Sequence, residues 1–214
     1  MSFKKLVVAT RNKKKLEEIR EILKDLHLKI ISLADYPAAP RIKENGSTFQ
    51  ENAVKKALKI AKFTGELTLG EDSGLCVRAL NGAPGVRSAR YSGRDKDDAK
   101  NNRKLLKALE GLSLKKRSAY YACAVALADK NGLIGVVEGR CSGRIAYSAK
   151  GSFGFGYDPL FLIPKYKKTF AQLGGAVKHR MSHRFRALTK TRKTFSSYFR
   201  RGNVFDNKAR GCYT

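Results

Sequence analysis

The chain of 214 residues carries 45 lysines and arginines against 18 aspartates and glutamates, a formal net charge of +27. Hydrophobic residues make up 42% of the sequence and are spread along it, which excludes an intrinsically disordered polymer and predicts one domain or two closely packed lobes. No apolar run reaches the roughly 18 residues of a membrane span, and the apolar stretch near the start is too short for a signal peptide, so a cytoplasmic protein without a membrane segment is expected.

The positive charge implies anionic partners. Nucleic acid is one candidate and a phosphate-rich small molecule is another, and the charge alone does not choose between them. The basic residues are dispersed along the chain, apart from a denser stretch at 184–210 whose only acidic residue is Asp206. Many of them are expected to lie on solvated helix faces.

Cysteine and histidine spacing gives no metal or disulfide signature. The four cysteines are far apart without a CxxC pair, and the three histidines lack zinc-ligand spacing. The cysteines are therefore interpreted as reduced and mainly structural. These residues are Cys76, Cys123, Cys141, Cys212, His27, His179 and His183.

An anion-binding turn is predicted near the start of the chain. Residues 6–9 form a short buried strand, and an amphipathic helix follows after a polar turn. The N-terminus of a helix attracts anions through its free N–H groups and its dipole, and Thr10, Asn12 and Lys15 add side-chain donors there. The alternative is that Thr10 or Asn12 only caps the helix. The apolar face of this helix is Leu16, Ile19, Ile22, Leu23 and Leu26.

The next segment predicts a strand, a loop and a second helix. The strand is expected at 28–32, and the loop at 35–45 contains Glu44. Residues 47–50 have the form of a capping box and begin a helix with an alanine-rich apolar stripe. Lys56 lies at the edge of that stripe and is expected to face a cleft, although most lysines in such positions are solvated.

Two adjacent carboxylates, Glu71 and Asp72, follow the apolar run at 67–69 and precede a segment rich in glycine, alanine, serine and proline. We expect a strand that ends before this pair and opens into a glycine-rich turn. Paired carboxylates in such a turn fit Mg²⁺, which takes oxygen ligands and shares them with substrate phosphates. The alternative is that the pair only caps a loop.

A helix and a β-hairpin are predicted next. Asp95, Asp97 and Asp98 are expected in the first turn of the helix, where acids stabilise the dipole. Alternation over 121–128, followed by the turn Asn131–Gly132 and a partner strand, predicts the hairpin.

A second glycine-rich loop, KGSFGFGYDPLF at 150–161, has the composition of a pocket for a flat ligand. Its glycines permit close backbone approach, Phe153, Phe155 and Tyr157 offer faces for stacking on a purine, and Asp158 accepts hydrogen bonds. The alternative is an ordinary turn that packs against the core.

A final helix is predicted to begin at Ser182, which is a good N-cap residue. Its first turn contains His183 and Arg184, whereas the helix dipole favours acids there. These cations indicate a negatively charged ligand nearby.

Six motifs occur in order along the chain, and together they resemble the inosine triphosphate pyrophosphatase family, also called dITP/XTP pyrophosphatases. The similarity extends from about residue 6 to 190, and six ordered matches are far more specific than any one of them. The motifs are ATRNKKK at 9–15, ENGSTFQENAVKKA at 44–57, EDSGL at 71–75, NGAPGVRSARYSG at 81–93, GFGYDPLF at 154–161 and SHRFRAL at 182–188.

The resemblance implies an α/β fold, elongated and two-lobed, with a long mixed β-sheet, flanking helices and a central active-site cleft. It also implies a homodimer and a Mg²⁺-dependent hydrolase. Such an enzyme converts dITP, ITP and XTP to the monophosphate and pyrophosphate, which removes deaminated purine nucleotides before they enter DNA or RNA. From the extent of this resemblance we expect a single domain at 1–194. A basic tail at 195–214, which does not match the family, is expected to follow it.

Residue roles follow from the resemblance, position by position. Asp72 would be the general base and, with Glu44, a Mg²⁺ ligand. Lys56 would neutralise phosphate charge beside Glu71, and Ser73 would contact the substrate. The triphosphate would be bound by Thr10, Arg11, Asn12, Lys13, Lys14 and Lys15. The base pocket would be formed by Phe155, Gly156, Tyr157, Asp158, Lys178, His183 and Arg184.

Three positions depart from the pattern that the resemblance implies: Phe153 stands where the family more often has glycine, Arg78 where an acid is common and Arg87 where an aromatic residue is common. Two alternatives therefore stay open. One is a related nucleotide pyrophosphatase with a different base preference. The other is a nucleic-acid-binding protein that has kept the fold and lost turnover, which the resemblance does not predict but the +27 charge leaves open.

Overall fold

A seven-stranded mixed sheet organises this computed structural model, which describes the backbone of residues 4–210 and the side chains of residues 4–200. Its strand order is β2-β1-β3-β4-β5-β6-β7. The pairs β2–β1 and β1–β3 are parallel, and the remaining neighbours are antiparallel. The strands are β1 Lys4–Val8, β2 Leu28–Ser32, β3 Thr68–Val77, β4 Ser118–Asp129, β5 Gly132–Ile145, β6 Phe161–Ile163 and β7 Lys168–Thr169.

Within residues 4–210, five α-helices flank the sheet, in agreement with the predicted α/β class. They are α1 Lys13–Leu23, α2 Phe49–Thr64, α3 Asp98–Ala108, α4 Phe170–Met181 and α5 His183–Arg210. The sequence reading did not predict α4, which contains a non-helical residue, Gly174, at φ 73°. Within the described residues, no helix is both long and apolar enough to cross a membrane.

Strand β4 shows how the sequence separates the two faces of the sheet. Cys123 and Val125 lie in a core cluster with residues of α1 and α5, whereas Ala124 and Ala126 lie in a cluster with alanines of α2. Successive side chains of a strand point to opposite faces, so large and small residues alternate here. The alanines allow α2 to pack close to the sheet.

Strand β3 is longer than predicted, and this corrects the position of the acidic pair. The strand runs through to Val77, so Glu71 and Asp72 lie in its middle and not in a turn after it. Its glycines permit close approach of other backbones. A Cβ at Gly70 would lie 2.2 Å from the Ala53 carbonyl oxygen in α2, and one at Gly74 would lie 2.5 Å from the Gly85 carbonyl oxygen.

Replacing Gly70 with alanine is expected to lower the free energy of unfolding by about 1–3 kcal/mol, because the added methyl group meets rigid backbone. Urea unfolding followed by circular dichroism measures the effect. Gly135→Ala is the matched control, since a Cβ there meets only a Thr194 methyl group at 3.6 Å. Equal unfolding midpoints for the two variants would contradict the close-packing argument.

The helix starts agree with the capping predictions to within one residue. Asn12 caps α1 by accepting from the Lys15 N–H at 3.1 Å. Thr48, and not Ser47, caps α2, and the Glu51 carboxylate accepts from the Ser47 N–H at 2.8 Å. Ser182 caps α5 as predicted, accepting from the Phe185 N–H at 3.2 Å.

The hairpin between β4 and β5 forms as predicted, but its turn is one residue earlier than expected. Asp129 pairs with Gly132, which leaves Lys130 and Asn131 as the turn residues. Gly132 itself begins β5 with φ 132°.

Helix α5 continues well past the region that resembles the family. Residues 195–210 belong to it, and Phe195 is buried in the core cluster beneath α1. The Lys4 ammonium lies 4.1 Å from the centroid of the Phe199 ring. The start of the predicted tail therefore packs on the sheet, and the boundary at residue 194 stays a prediction.

The described cysteines agree with the reduced interpretation. Cys76, Cys123 and Cys141 are free and buried. Cys212 lies outside the described residues.

Candidate functional site

A cavity of about 390 Å³ opens where the start of α1, strand β3, the loop before β6 and the start of α5 meet. Most of the sequence-predicted site residues line it. These are Asn12, Lys13, Lys14, Lys15, Glu44, Asp72, Ser73, Phe155, Gly156, Tyr157, Asp158, Lys178, His183 and Arg184. The sequence analysis did not single out Arg90, Lys96 or Tyr121, which line it too.

Four predicted residues do not line the cavity. Thr10 accepts from the Asn12 N–H at 3.1 Å and so stabilises the turn itself. Arg11 donates to the Ala39 carbonyl oxygen at 3.1 Å, which directs its guanidinium toward the loop after β2. Lys56 and Glu71 are buried beneath the cavity wall, where they contact residues that do line it.

Lys56 joins the two carboxylates predicted to bind metal. Its ammonium lies 2.9 Å from Glu44 Oε1 and 3.0 Å from Asp72 Oδ1, and it also donates to the Glu71 carbonyl oxygen at 3.0 Å. The Asn52 amide donates to the other Asp72 oxygen at 3.0 Å. Both carboxylates therefore converge on one point at the cavity wall.

Burial and charge act in opposite directions on these groups. Burial alone would lower the pKa of Lys56, but Asp72 and Glu44 outweigh it and raise that pKa, so the ammonium stays charged. Burial raises the pKa of Asp72, and Lys56 offsets only part of the effect. Asp72 is thus a more basic carboxylate than an exposed aspartate.

The mouth of the cavity is basic. Lys13 and Lys14 are exposed in the first turn of α1, and Lys14 donates to the Gly154 carbonyl oxygen at 3.4 Å. The first N–H groups of a helix lack intrahelical partners, and the helix dipole adds positive potential. The predicted anion site and the cap at Asn12 are therefore compatible, because the cap uses only the Lys15 N–H.

A row of six ionic side chains, called the ion row below, connects this basic mouth to the far end of the cavity. It consists of Lys15, Glu71, Arg184, Glu18, Lys178 and Asp158. Cations and anions alternate along the row. The Lys15–Glu71 contact is 2.8 Å and the Glu71–Arg184 contact is 3.0 Å. Arg184 also pairs with Glu18, and Lys178 lies 2.7 Å from Glu18 and 2.5 Å from Asp158.

Opposite charges keep the central members of the ion row ionised. Burial alone would raise the pKa of Glu18, but Arg184 and Lys178 outweigh it and hold the pKa at about 2. The pKa of Glu71 is also lowered, because Arg184 and Lys15 outweigh its complete burial. Burial would lower the pKa of Arg184, yet Glu71 and Glu18 raise it.

These contacts correct the interpretation of the first turn of α5. Arg184 has its anionic partners, Glu71 and Glu18, within the protein, so its position does not require an anionic ligand. Burial, followed by the charge of Arg184, lowers the pKa of His183 well below its ordinary value, so His183 is neutral and not a cation.

Sequence reasoning missed Glu18, which lies on the buried face of α1. The available signal was its place three residues after Lys15 and beside the apolar Ile19. A charged residue on the buried face of an amphipathic helix requires a buried partner.

Aromatic rings line the far end of the cavity. Tyr121 stacks on His183 with ring centroids 4.6 Å apart and an interplanar angle of 11°. The Lys178 ammonium lies 4.8 Å from the centroid of Phe155. Within the described part of the chain, His183 Nδ1 and Arg184 Nε are buried without a hydrogen-bond partner. This end of the cavity therefore combines flat surfaces with free polar atoms.

Helix α3 fixes the loop that carries Phe155. Asp98 accepts from the Gly156 N–H at 2.7 Å, and Asn102 donates to the Gly156 carbonyl oxygen at 3.1 Å. Asp98 was predicted only to support the helix start, a role that Asp97 fills by accepting from the Lys100 N–H at 2.9 Å. Asp98 instead connects α3 to the cavity.

The three departures from the family pattern lie outside the cavity wall. Arg78 and Arg87 are exposed. The Phe153 side chain is 40% exposed, and its ring packs edge-on against His179 at 6.4 Å. None of the three departures therefore contributes a side chain to the cavity wall.

Comparisons with known proteins show which family the chain resembles. Residues 6–194 match the model of the Ham1 family. A dITP/XTP pyrophosphatase of Desulforamulus reducens is 51% identical over 87% of this chain and 92% of its own length. One from Shouchella clausii is 46% identical over 88% and 95% of the two chains.

Solved structures show the same similarity. A HAM1 protein from Coxiella burnetii superposes with a TM-score of 0.82 at 40% identity, covering 91% of this chain and all of the other. The Ham1 protein of Staphylococcus aureus superposes with a TM-score of 0.81 at 36% identity and the same coverage. The chain belongs to the Ham1 family.

Proposed function

We propose that this protein is a dITP/XTP pyrophosphatase. It hydrolyses dITP, ITP and XTP to the nucleoside monophosphate and pyrophosphate, and so removes deaminated purine nucleotides before DNA or RNA synthesis incorporates them. One observation carries the proposal: a basic helix start, a carboxylate pair and aromatic rings line the same cavity. Relatives of nearly full length that bear this enzyme name support it.

The substrate would lie along this cavity with its triphosphate at the start of α1. There the N–H groups of the first turn and the lysines Lys13, Lys14 and Lys15 neutralise phosphate charge. Ser73, which lines the same cavity, would contact the substrate. The purine would enter the far end, where Phe155 and Tyr157 flank it.

Glu44 and Asp72 would hold a Mg²⁺ ion. Their carboxylates converge on Lys56, and such oxygen donors fit a hard cation. Among the described residues, no group of three or more His, Cys, Asp and Glu side chains could hold a metal. Mg²⁺ is commonly bound through one or two carboxylates plus substrate phosphates. When bound, the ion supplies positive charge that draws the phosphate chain to this wall.

Asp72 would act as the general base. It takes a proton from a water molecule as that water attacks the α-phosphorus, and the bond from this phosphorus to the bridging oxygen of the β-phosphate breaks. Pyrophosphate leaves, and Lys15 and Lys56 stabilise the charge that develops.

Base selection would rest on donors at the far end of the cavity. Arg184 donates hydrogen bonds and accepts none, and inosine and xanthine present a carbonyl at C6 where adenine presents an amino group. Adenine would leave buried donors unpaired, which is costly. Asp158, fixed by Lys178 and by the Phe155 N–H at 2.9 Å, keeps the loop in place.

Product analysis with ITP and Mg²⁺, against an ATP control, tests the proposal. Release of IMP and pyrophosphate with ATP largely spared is the expected result. Parallel reactions with XTP, dUTP and dTTP distinguish a related enzyme of different base preference. No pyrophosphate from any nucleotide would overturn the proposal and favour the nucleic-acid alternative, which salt-dependent oligonucleotide binding then tests.

Arg184→Lys is expected to lower the ratio of kcat/KM for ITP to that for ATP by about tenfold or more. The lysine keeps a positive charge between Glu18 and Glu71 but loses the forked donor geometry. Steady-state kinetics with both nucleotides measure the ratio. Arg192→Lys is the control, because Arg192 lies on the same helix as Arg184 and pairs with Asp25. An unchanged ratio in Arg184→Lys would place base recognition elsewhere.

Further features are inferred from the family resemblance. We infer that the molecule is elongated and two-lobed with the cavity as its central cleft, and that residues 1–194 are one domain with an added segment at 195–214. We also infer a homodimer, which sedimentation velocity tests, and a cytoplasmic location beside the nucleotide pool.

A further inference from the structure

We propose that Glu71 is a positioning residue that couples recognition of the base to binding of the phosphate chain. The proposal rests on the proposed function, since that function places the base and the phosphates at opposite ends of the cavity. Glu71 itself does not line the cavity. Its Oε2 accepts from the Lys15 ammonium at 2.8 Å, and its Oε1 accepts from the Arg184 guanidinium at 3.0 Å.

The surroundings of Glu71 leave its carboxylate little freedom. Its side chain is 1% exposed, and the Cys123 thiol donates to Oε1 at 3.3 Å. The adjacent Gly70 packs directly against the backbone of α2, and the Glu71 carbonyl oxygen accepts from Lys56. The carboxylate therefore cannot turn toward solvent when one of its partners moves.

A fixed anion shared by two cations makes the two cations dependent on each other. When a base draws the Arg184 guanidinium away, Glu71 has more of its charge available for Lys15, and the reverse holds when phosphate draws Lys15. Residues that share a buried ionic partner commonly show non-additive effects. The distance between base and phosphates is thus spanned by two contacts through one carboxylate.

Glu18 provides the internal comparison. It pairs with Arg184 and Lys178, whereas the ion pair of Lys15 in the described structure is with Glu71. Both acids are buried and both are ionised, because their pKa values are lowered by neighbouring cations. Removing the charge of Glu18 therefore leaves the connection from Lys15 through Glu71 to Arg184 in place, whereas removing the charge of Glu71 disconnects the two ends.

The kinetic test is a set of double variants with ITP and ATP as substrates. Lys15→Met is expected to change the ITP/ATP ratio of kcat/KM by about tenfold, although Lys15 lies at the phosphate end. In the Glu71→Gln background, Lys15→Met is expected to change kcat/KM for ITP and for ATP by the same factor, within about twofold. Combined with Glu18→Gln, it is expected to keep its effect on the ratio. If Lys15→Met alone changed kcat/KM for ITP and for ATP by the same factor, the proposal would be overturned.

A binding test uses inorganic tripolyphosphate, which has no base. Titration calorimetry of the full chain is expected to show binding weakened by about threefold to tenfold in Arg184→Lys, because the change passes through Glu71 to Lys15. An unchanged dissociation constant would overturn the coupling, even if Glu71→Gln fails to fold.

This measurement also separates the two proposals. It requires no turnover, so an absence of pyrophosphate release from the unmodified protein would count against the proposed function alone.

Discussion

Replacing Asp72 with asparagine is expected to lower the rate of pyrophosphate release from ITP by about 10³-fold or more. The substitution removes the group proposed to accept the proton and one of the two carboxylates proposed to hold Mg²⁺. The fold is expected to persist, because the amide oxygen still accepts from Lys56, and Lys56 keeps its contact with Glu44. Single-turnover kinetics with saturating Mg²⁺ measure the chemical step.

The matched control for this experiment is Asp95→Asn. Asp95 is an acid near the start of α3 whose side chain is 79% exposed, and its only ion pair in the described structure is a 3.7 Å contact with Lys100. Its rate is expected to equal that of the unmodified protein. Activity of Asp72→Asn within tenfold of that rate, with an unchanged circular dichroism spectrum, would show that another group accepts the proton.

Glu18→Gln is expected to lower the free energy of unfolding by about 3–5 kcal/mol at neutral pH, because it removes one of the two acidic partners of each of two buried cations. The affected cations are Arg184 and Lys178. Glu21→Gln is the control on the same helix, and it is expected to change the free energy by at most about 0.5 kcal/mol, since Glu21 forms only an exposed pair with Lys24. Urea unfolding at several pH values measures both variants.

The contribution of Glu18 also has a defined pH dependence. Its pKa is about 2 in the folded protein, against an ordinary value of 4.5. The stabilisation is therefore complete above pH 4.5 and is lost as the pH falls toward 2, a total of about 3 kcal/mol. The difference in unfolding free energy between the unmodified protein and Glu18→Gln is expected to shrink over that interval. Parallel stability curves would contradict this assignment of Glu18.

Elements that follow local periodicity could be predicted from the sequence. The strand predicted at 28–32 matches Leu28–Ser32, and the helices at the two capped positions begin within one residue of their expected starts. In these segments the apolar pattern and the capping residue act over a few positions. Local chemistry therefore determined them.

Elements that depend on tertiary contacts could not be predicted in the same way. Gly70 and Gly74 look like turn residues in the sequence, but they lie in β3 because other backbones approach them closely. In β3, packing and not local propensity therefore decides the structure. Gly174 kinks α4 with a positive φ, which the apolar pattern of the sequence does not encode.

The candidate site shows the same division. Asp72 and His183 were singled out from their places in the sequence, the family resemblance implied their roles, and both line the cavity. Glu18 and Tyr121 were not identified, since their roles come from contacts across the fold. The partner of Glu18, Arg184, lies 166 positions away in the chain, and such pairing cannot be read from spacing.

The two hydrogen bonds from α3 to Gly156 affect how the cavity accepts any ligand. The backbone N–H and carbonyl oxygen of this residue, which has φ 63°, are both occupied by side chains, those of Asp98 and Asn102. The loop that carries Phe155 is therefore preorganised, and its conformational entropy is lost on folding and not on association. A flat ring that enters beside Phe155 meets a surface already in place, so more of its contact energy appears as affinity.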